Sequence, residues 1–340
     1  MSRNSPINHL PLPTWGNNVA VYIGHQFQDP LNTTLQSSPG LVFNYTYDAS
    51  QDPTVTSNQD AVRTNVFYLA NTFHDTLYLY GFTESAFNFQ NDNFGKGGVG
   101  GDRFLPQRDG AMENDLVIHE LTHGMTSRMT GGGTAQCLDT REAGGLDEGW
   151  ADAVANWFSH SATPEVHDFY FIPWVTNGNS TYFRTGPYST SVATNSLRYS
   201  DLSTRETLHE MGEVKYSVVI SANTGLTHFL FIFSIVVRYG RTSFTTSTQR
   251  SLPSTVGPRP LSPTLLVHLE TSYGSTSSQT DWHSNRATPH LRLLEMPLSK
   301  LIRIRYGEVN RCLLWKVFAS RGVGVEAKDY VDSDTVPEGC

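Results

Sequence analysis

His119 and His123 stand four residues apart in the run His119-Glu120-Leu121-Thr122-His123. On a helix, residues i and i+4 share a face, so both imidazoles can offer a ring nitrogen to one metal ion. Glu120, one residue on from a ligand, can reach water at that ion, which is the pattern of metal-assisted hydrolysis. A catalytic zinc usually takes three protein ligands and keeps one position open, so a third ligand is required. It does not come from a metzincin continuation, because His123-Gly124-Met125-Thr126-Ser127-Arg128-Met129 lacks the later glycine and third histidine. The stretch Glu142-Ala143-Gly144-Gly145-Leu146-Asp147-Glu148-Gly149-Trp150-Ala151-Asp152 offers one instead. Glu148 and Asp152 are again four apart. Glu148 closes the set, and Asp152 can accept the free ring N–H of a ligand histidine and fix its tautomer.

Two helices must hold these groups. The pattern predicts one from Glu113 to Arg128, closed by Gly131-Gly132-Gly133, and a second carrying Glu148 to about Ser159. Upstream, Val62, Val66, Leu69, Phe73 and Leu77 recur at helical spacing, which predicts an amphipathic helix from about Ala61 to Tyr80 with this stripe in the core. Before residue 60 the alternation in Leu41-Val42-Phe43-Asn44-Tyr45 reads as a strand.

Together with their neighbours, these motifs resemble the fungalysins, secreted fungal zinc endopeptidases of the thermolysin-like gluzincin group. The resemblance is carried by the runs above and by Arg128-Met129-Thr130-Gly131-Gly132 and Cys137-Leu138. It is carried also by Asn65-Val66-Phe67-Tyr68 through His74-Asp75, Tyr80-Gly81-Phe82-Thr83-Glu84 and Asn93-Phe94-Gly95-Lys96-Gly97-Gly98. Pro187-Tyr188-Ser189-Thr190 and Glu206-Thr207-Leu208-His209-Glu210-Met211-Gly212-Glu213-Val214 belong to it too. It covers roughly residues 15–214 and 304–340.

The resemblance implies a two-lobed α+β fold. Residues 1–60 form its β-rich part, 61–214 the zinc-binding core, and 304–340 the end of a helical C-terminal lobe. It implies one zinc ion on His119, His123 and Glu148, with Asp152 behind a histidine. Glu120 serves as general base and then acid, and His209 faces the oxyanion. A tyrosine phenol also belongs at the oxyanion, but spacing singles out none of the 15 present. Calcium is a further ion of the group, without a motif here. The implied substrates are proteins or peptides, and the implied location is extracellular, after removal of a propeptide. Two other readings are a remnant that binds zinc without processing peptide, and a gluzincin aminopeptidase. The second ranks last, since no acidic anchor for a free amine precedes the zinc helix.

Composition narrows the partners. Lys and Arg number 24 against 32 Asp and Glu, and the net charge of −8 argues against nucleic acid. The apolar run Leu226 to Val237, interrupted by Thr227, His228 and Ser234, is too short to span a bilayer. Three cysteines, Cys137, Cys312 and Cys340, leave one unpaired. Asn32-Thr33-Thr34, Asn44-Tyr45-Thr46 and Asn179-Ser180-Thr181 fit the N-glycosylation pattern.

The chain departs from the family pattern in three places. Met1-Ser2-Arg3-Asn4-Ser5-Pro6 shows no basic region followed by an apolar core, and the family's propeptide is missing; truncation is the expected reason, the alternative being a product that is not secreted. Between Gly101 and Arg108 the family carries several dozen more residues, including an edge that grips substrate backbone. From Lys215 to about Arg303 the composition shifts to Ser, Thr, Pro and Arg. Reading plausible codons two nucleotides later turns Leu294 to Leu301 into Arg-Asn-Ala-Ile-Ile-Gln-Ala, and the same offset gives family-like sequence from Gln279 to His290 and from Arg241 to Gly257. The segment is therefore expected to be intron followed by out-of-frame sequence, without a stable fold, with Lys215 to about Arg238 as the intron. The family's frame returns near Ile304.

Overall fold

A computed structural model describes Thr14 and residues 16–21, 42–106, 112–130, 133–159, 167–177, 183–220 and 311–340. Five α-helices lie among them: α1 (Thr56–Tyr78), α2 (Asn114–Met129), α3 (Arg141–Ser159), α4 (Leu208–Ile220) and α5 (Arg311–Ser320). α3 is the centre of the stack, packed against α2 on one side and α4 on the other, while α1 covers α2.

The predicted stripe on α1 is the core face. Val62, Val66, Phe73 and Leu77 are buried, and Leu69 packs against them from the margin. From α2 come Leu121, Met125 and Met129, and from α3 come Trp150 and Val154. Each such side chain contributes about 1.5–3 kcal/mol by leaving water. The helix begins five residues earlier than predicted because Asn58, fully buried, pairs with the backbone of Asp48: it accepts from the Asp48 N–H at 2.8 Å and donates to the Asp48 carbonyl at 2.9 Å.

The strand expected at residues 41–45 is a correction. Residues 42–48 form no strand, although their side chains alternate in exposure. Alternation specifies a half-buried extended chain, not a hydrogen-bonded neighbour, and here the segment is held by Asn58 and by Tyr47 set edge-on against Trp174. Among the described residues of the first 60 there is no strand, against the β-rich part expected there. The pairing recorded is an isolated parallel bridge between Val19 and Phe104.

α4 does not end at Val214, where the family-like sequence was expected to stop. It continues to Ile220, with Lys215, Tyr216, Ser217, Val218 and Ile220 all buried. Residues 221–310, including the apolar run and the out-of-frame stretches, lie outside the described residues. At the other end, Cys312 on α5 is disulfide-bonded to Cys340, and Cys137 is a free, partly buried thiol.

Candidate metal centre

α2 is anchored at both ends. Glu113, buried at its N-terminus, accepts the backbone N–H groups of Trp174 and Val175, each at 2.9 Å. In its last turn Arg128 donates to Asp102 at 2.5 Å and to the Phe87 carbonyl at 2.7 Å, and lies over the Phe89 ring. Phe89 in turn needs Gly124, where a Cβ would stand 2.7 Å from the ring. The glycine just after His123 thus lets the loop of residues 87–102 close on the histidine helix.

The helix presents His119, buried, and His123, half-buried, with their Nε2 atoms 3.0 Å apart. α3 brings Glu148 opposite them, its Oε2 at 3.3 Å from His119 Nε2 and 3.7 Å from His123 Nε2. One donor atom from each of the three lies within 4.8 Å of the others. Among the described residues this is the group of three or more His, Cys, Asp or Glu that converges in this way; no comparable acidic cluster for calcium is found there.

Behind the rings, both Nδ1 atoms face carboxylates. His119 Nδ1 meets Asp152 Oδ1 at 2.8 Å, and His123 Nδ1 meets Asp147 Oδ2 at 2.7 Å. A ring whose Nδ1–H donates to a carboxylate keeps a lone pair on Nε2. Two such lone pairs and the Glu148 carboxylate oxygen then converge, and buried Glu148 Oε2 has no hydrogen-bond donor in line with it. Acceptors without a donor call for a cation, and an imidazole–imidazole–carboxylate set suits zinc.

The surrounding carboxylates favour positive charge at this point. Burial alone lowers the pKa of His119, but the Asp152 and Glu148 carboxylates raise it overall. His123 is pushed up to about 10, with burial opposed by Asp147 and Glu148. Burial acts to raise the pKa of Glu148, yet His119 and His123 bring it far below the usual carboxylate range.

Asp152 is itself held rigidly. Arg184 donates to it through Nε at 2.7 Å and Nη2 at 2.8 Å, and the Tyr188 hydroxyl donates to its Oδ2. The Arg184 guanidinium offsets the effect of burial, so Asp152 stays ionised in the interior. Sequence spacing found Asp152 but missed Asp147, Arg184 and Tyr188. Asp147 had a signal: it precedes Glu148 on the same helix, so its side chain starts beside the ligand face. Arg184 and Tyr188 come from a loop that no periodicity connects to α3.

His209, at the start of α4, places Nε2 at 3.4 Å from Glu148 Oε2, with most of its side chain in solvent. Glycines make this approach feasible. A Cβ on Gly145 would stand 2.5 Å from Met211 Cβ, and one on Gly212 would stand 2.6 Å from Glu148 Cβ and 2.8 Å from Gly149 N. α3 and α4 therefore touch along backbone. Glu120 points outward and is exposed, next to His119 on α2. The structure thus gathers His119, His123, Glu148, Asp152 and His209, while Glu120 is exposed on α2.

Comparison with known proteins points to metallopeptidases. A family model described as fungalysin metallopeptidase (M36) matches residues 7–107 and 103–226. Extracellular metalloproteinase 4 of Arthroderma otae is 30% identical over 360 residues, which cover 93% of this chain and 51% of that protein. Extracellular metalloproteinase MEP of Pyricularia oryzae is 30% identical over 353 residues, with 91% and 52% covered. Extracellular metalloproteinase mep of Aspergillus flavus is 30% identical over 342 residues, with 88% and 50% covered. The chain spans about half the length of these curated relatives.

Proposed function

The chain belongs to the fungalysin metallopeptidase family, and from that premise we infer that it is a zinc-dependent endopeptidase acting on proteins or peptides, with the two-lobed α+β arrangement of that group. The observation that carries this reading is the convergence of His119 Nε2, His123 Nε2 and the donor-less Glu148 Oε2. A zinc ion bound there supplies Lewis acidity toward a peptide carbonyl and acidifies water.

The protein's own residues do the remaining work. Asp152 and Asp147 hold each imidazole with Nδ1 protonated, so that both Nε2 lone pairs face the centre. Glu120, exposed and next to His119 on α2, takes a proton from the attacking water and delivers it to the leaving amine. His209 enters from α4 and donates a hydrogen bond where negative charge develops on the carbonyl oxygen. Its contact with Glu148 keeps the ring at the edge of the site while its exposure leaves the face toward substrate open.

An extracellular location fits the names of the relatives and the Cys312–Cys340 disulfide, a bond that persists in oxidising compartments. No helix among the described residues is long and apolar enough to cross a membrane.

The test is metal analysis combined with casein hydrolysis, with and without chelator, on the wild type and Glu120→Gln. The expected result is about one zinc per chain in both proteins, chelator-sensitive hydrolysis in the wild type, and none in the variant. Zinc bound by a wild type that shows no chelator-sensitive hydrolysis would establish the non-catalytic remnant instead.

A further inference from the structure

Arg321 lies just past the end of α5, nearly 170 residues beyond Asp152 in sequence, yet its side chain is fully buried beside the loop that follows Tyr188. Its Nη2 donates to the Ser189 carbonyl at 2.9 Å. Its Nη1 donates to the carbonyls of Asn195 and Leu197, the latter at 3.1 Å. One guanidinium thus gathers three carbonyls from residues 189–197 into a closed loop. The backbone of Arg321 joins the same contact, accepting the Tyr199 N–H at 2.9 Å.

The loop so closed begins at Tyr188. That residue exchanges both backbone hydrogen bonds with Phe169 at 2.9 Å and lays its ring 4.5 Å from that of Tyr216. Its hydroxyl ends on Asp152, and Asp152 accepts from His119 Nδ1. Asn195 closes the loop from within, donating to the Pro187 carbonyl at 2.9 Å and to Ser217 at 3.1 Å. From the far side, Arg198 pairs with Asp332 at 2.6 Å and Asp334 at 2.5 Å and donates to the Ser320 carbonyl at 3.2 Å. The C-terminal segment is therefore fastened to the Tyr188 loop on both sides of Arg321.

We propose that Arg321 is a positioning residue for the metal centre: by holding the carbonyls of Ser189, Asn195 and Leu197 it fixes the Tyr188 hydroxyl on Asp152, and through Asp152 the ring of His119. The inference rests on the metal-site reading of His119, His123 and Glu148. The guanidinium suits the task because its planar fork serves several carbonyls at once, which a smaller donor cannot do equally well. Groups behind a metal ligand typically contribute 10–100-fold to affinity; Arg321 acts through Tyr188 and then Asp152, so its expected effect is at the low end, about tenfold.

The experiment is a zinc titration against a chelating dye, on the full chain, for the wild type, Arg321→Lys, Arg321→Gln, Tyr188→Phe and the Tyr188→Phe/Arg321→Lys double variant. Cobalt substitution reads the coordination geometry through its visible absorption, and circular dichroism identifies the folded samples. Arg321→Gln should weaken zinc binding about tenfold, with Arg321→Lys recovering part of the loss and the cobalt spectrum broadening in both. In the Tyr188→Phe background, Arg321→Lys should cost no further affinity, because the hydroxyl through which it acts is gone. Should Arg321→Gln fail to fold, the Arg321→Lys pair still decides. Wild-type affinity in folded Arg321→Lys and Arg321→Gln, or an equal loss with and without the Tyr188 hydroxyl, overturns the proposal. A wild type that binds no zinc would instead refute the metal-site reading itself.

Discussion

His209 Nε2 stands 3.4 Å from Glu148 Oε2, although the two residues come from different helices and lie 61 positions apart in sequence. The contact ties a third imidazole to the one carboxylate that the two zinc-helix histidines also face. Replacing His209 separates holding the ion from stabilising the oxyanion. His209→Ala should retain zinc at wild-type stoichiometry while kcat falls about 10²–10³-fold, as for removal of an oxyanion donor. Metal content and steady-state kinetics on one sample check both halves.

Gly212 sets the distance at which that contact is made. Its missing Cβ leaves room for Glu148 Cβ and the Gly149 N–H. Gly212→Ala must push α4 away from α3, at a cost on the order of 1–3 kcal/mol. The expected result is a lower urea midpoint, with an activity loss in the protein that remains folded.

Asp152→Asn keeps the side-chain shape but removes the charge that orients His119. The prediction is a zinc affinity weakened 10–100-fold with the fold retained, measured by competition with a chelating dye. The carboxylate is buried with Arg184 beside it, so Asp152→Asn also leaves that guanidinium without its counter-charge. A stability loss should accompany the affinity loss, visible in thermal unfolding of the metal-free chain.

Asp115 should govern part of the pH dependence of stability. Burial, with Glu113 nearby, pushes its pKa up to about 6, against hydrogen bonds from Ser159 and the Ile172 backbone. Its unfolded value is near 3.9. Between these two values the folded chain keeps a proton that the unfolded chain has released, so stability falls as pH rises from about 4 to about 6 and stays lower above. The full shift corresponds to about 2–3 kcal/mol. Asp115→Asn should flatten this part of the curve and raise stability at pH 7, as read by urea denaturation across pH 4–8.

How far the sequence could be read follows from which contacts are local. His119, His123, Glu148 and Asp152 are paired by helical spacing, and a period of 3.6 residues carries their geometry directly. The α1 core stripe is legible for the same reason. Arg184 and Tyr188 are not, because they reach Asp152 from a loop whose path is set by contacts with α4 and the C-terminal segment. The strand read at residues 41–45 fails because alternation reports burial and says nothing of a partner strand. Lys215 misleads differently. A lysine at the edge of an odd composition looks like a boundary, yet it is buried on α4, its ammonium donating to the Glu142 carbonyl at 2.5 Å and its pKa lowered to about 8 by burial.

The Arg321 contacts also have a consequence in time. Residues 119 to 152 are synthesised well before Arg321, which lies 169 positions after Asp152. At typical elongation rates that interval is roughly ten to thirty seconds. A nascent chain therefore carries its histidines and carboxylates for that long before the guanidinium that gathers the 189–197 carbonyls exists. Assembly of the complete centre is a late step in the life of each molecule, completed only after the C-terminal segment has been made and docked.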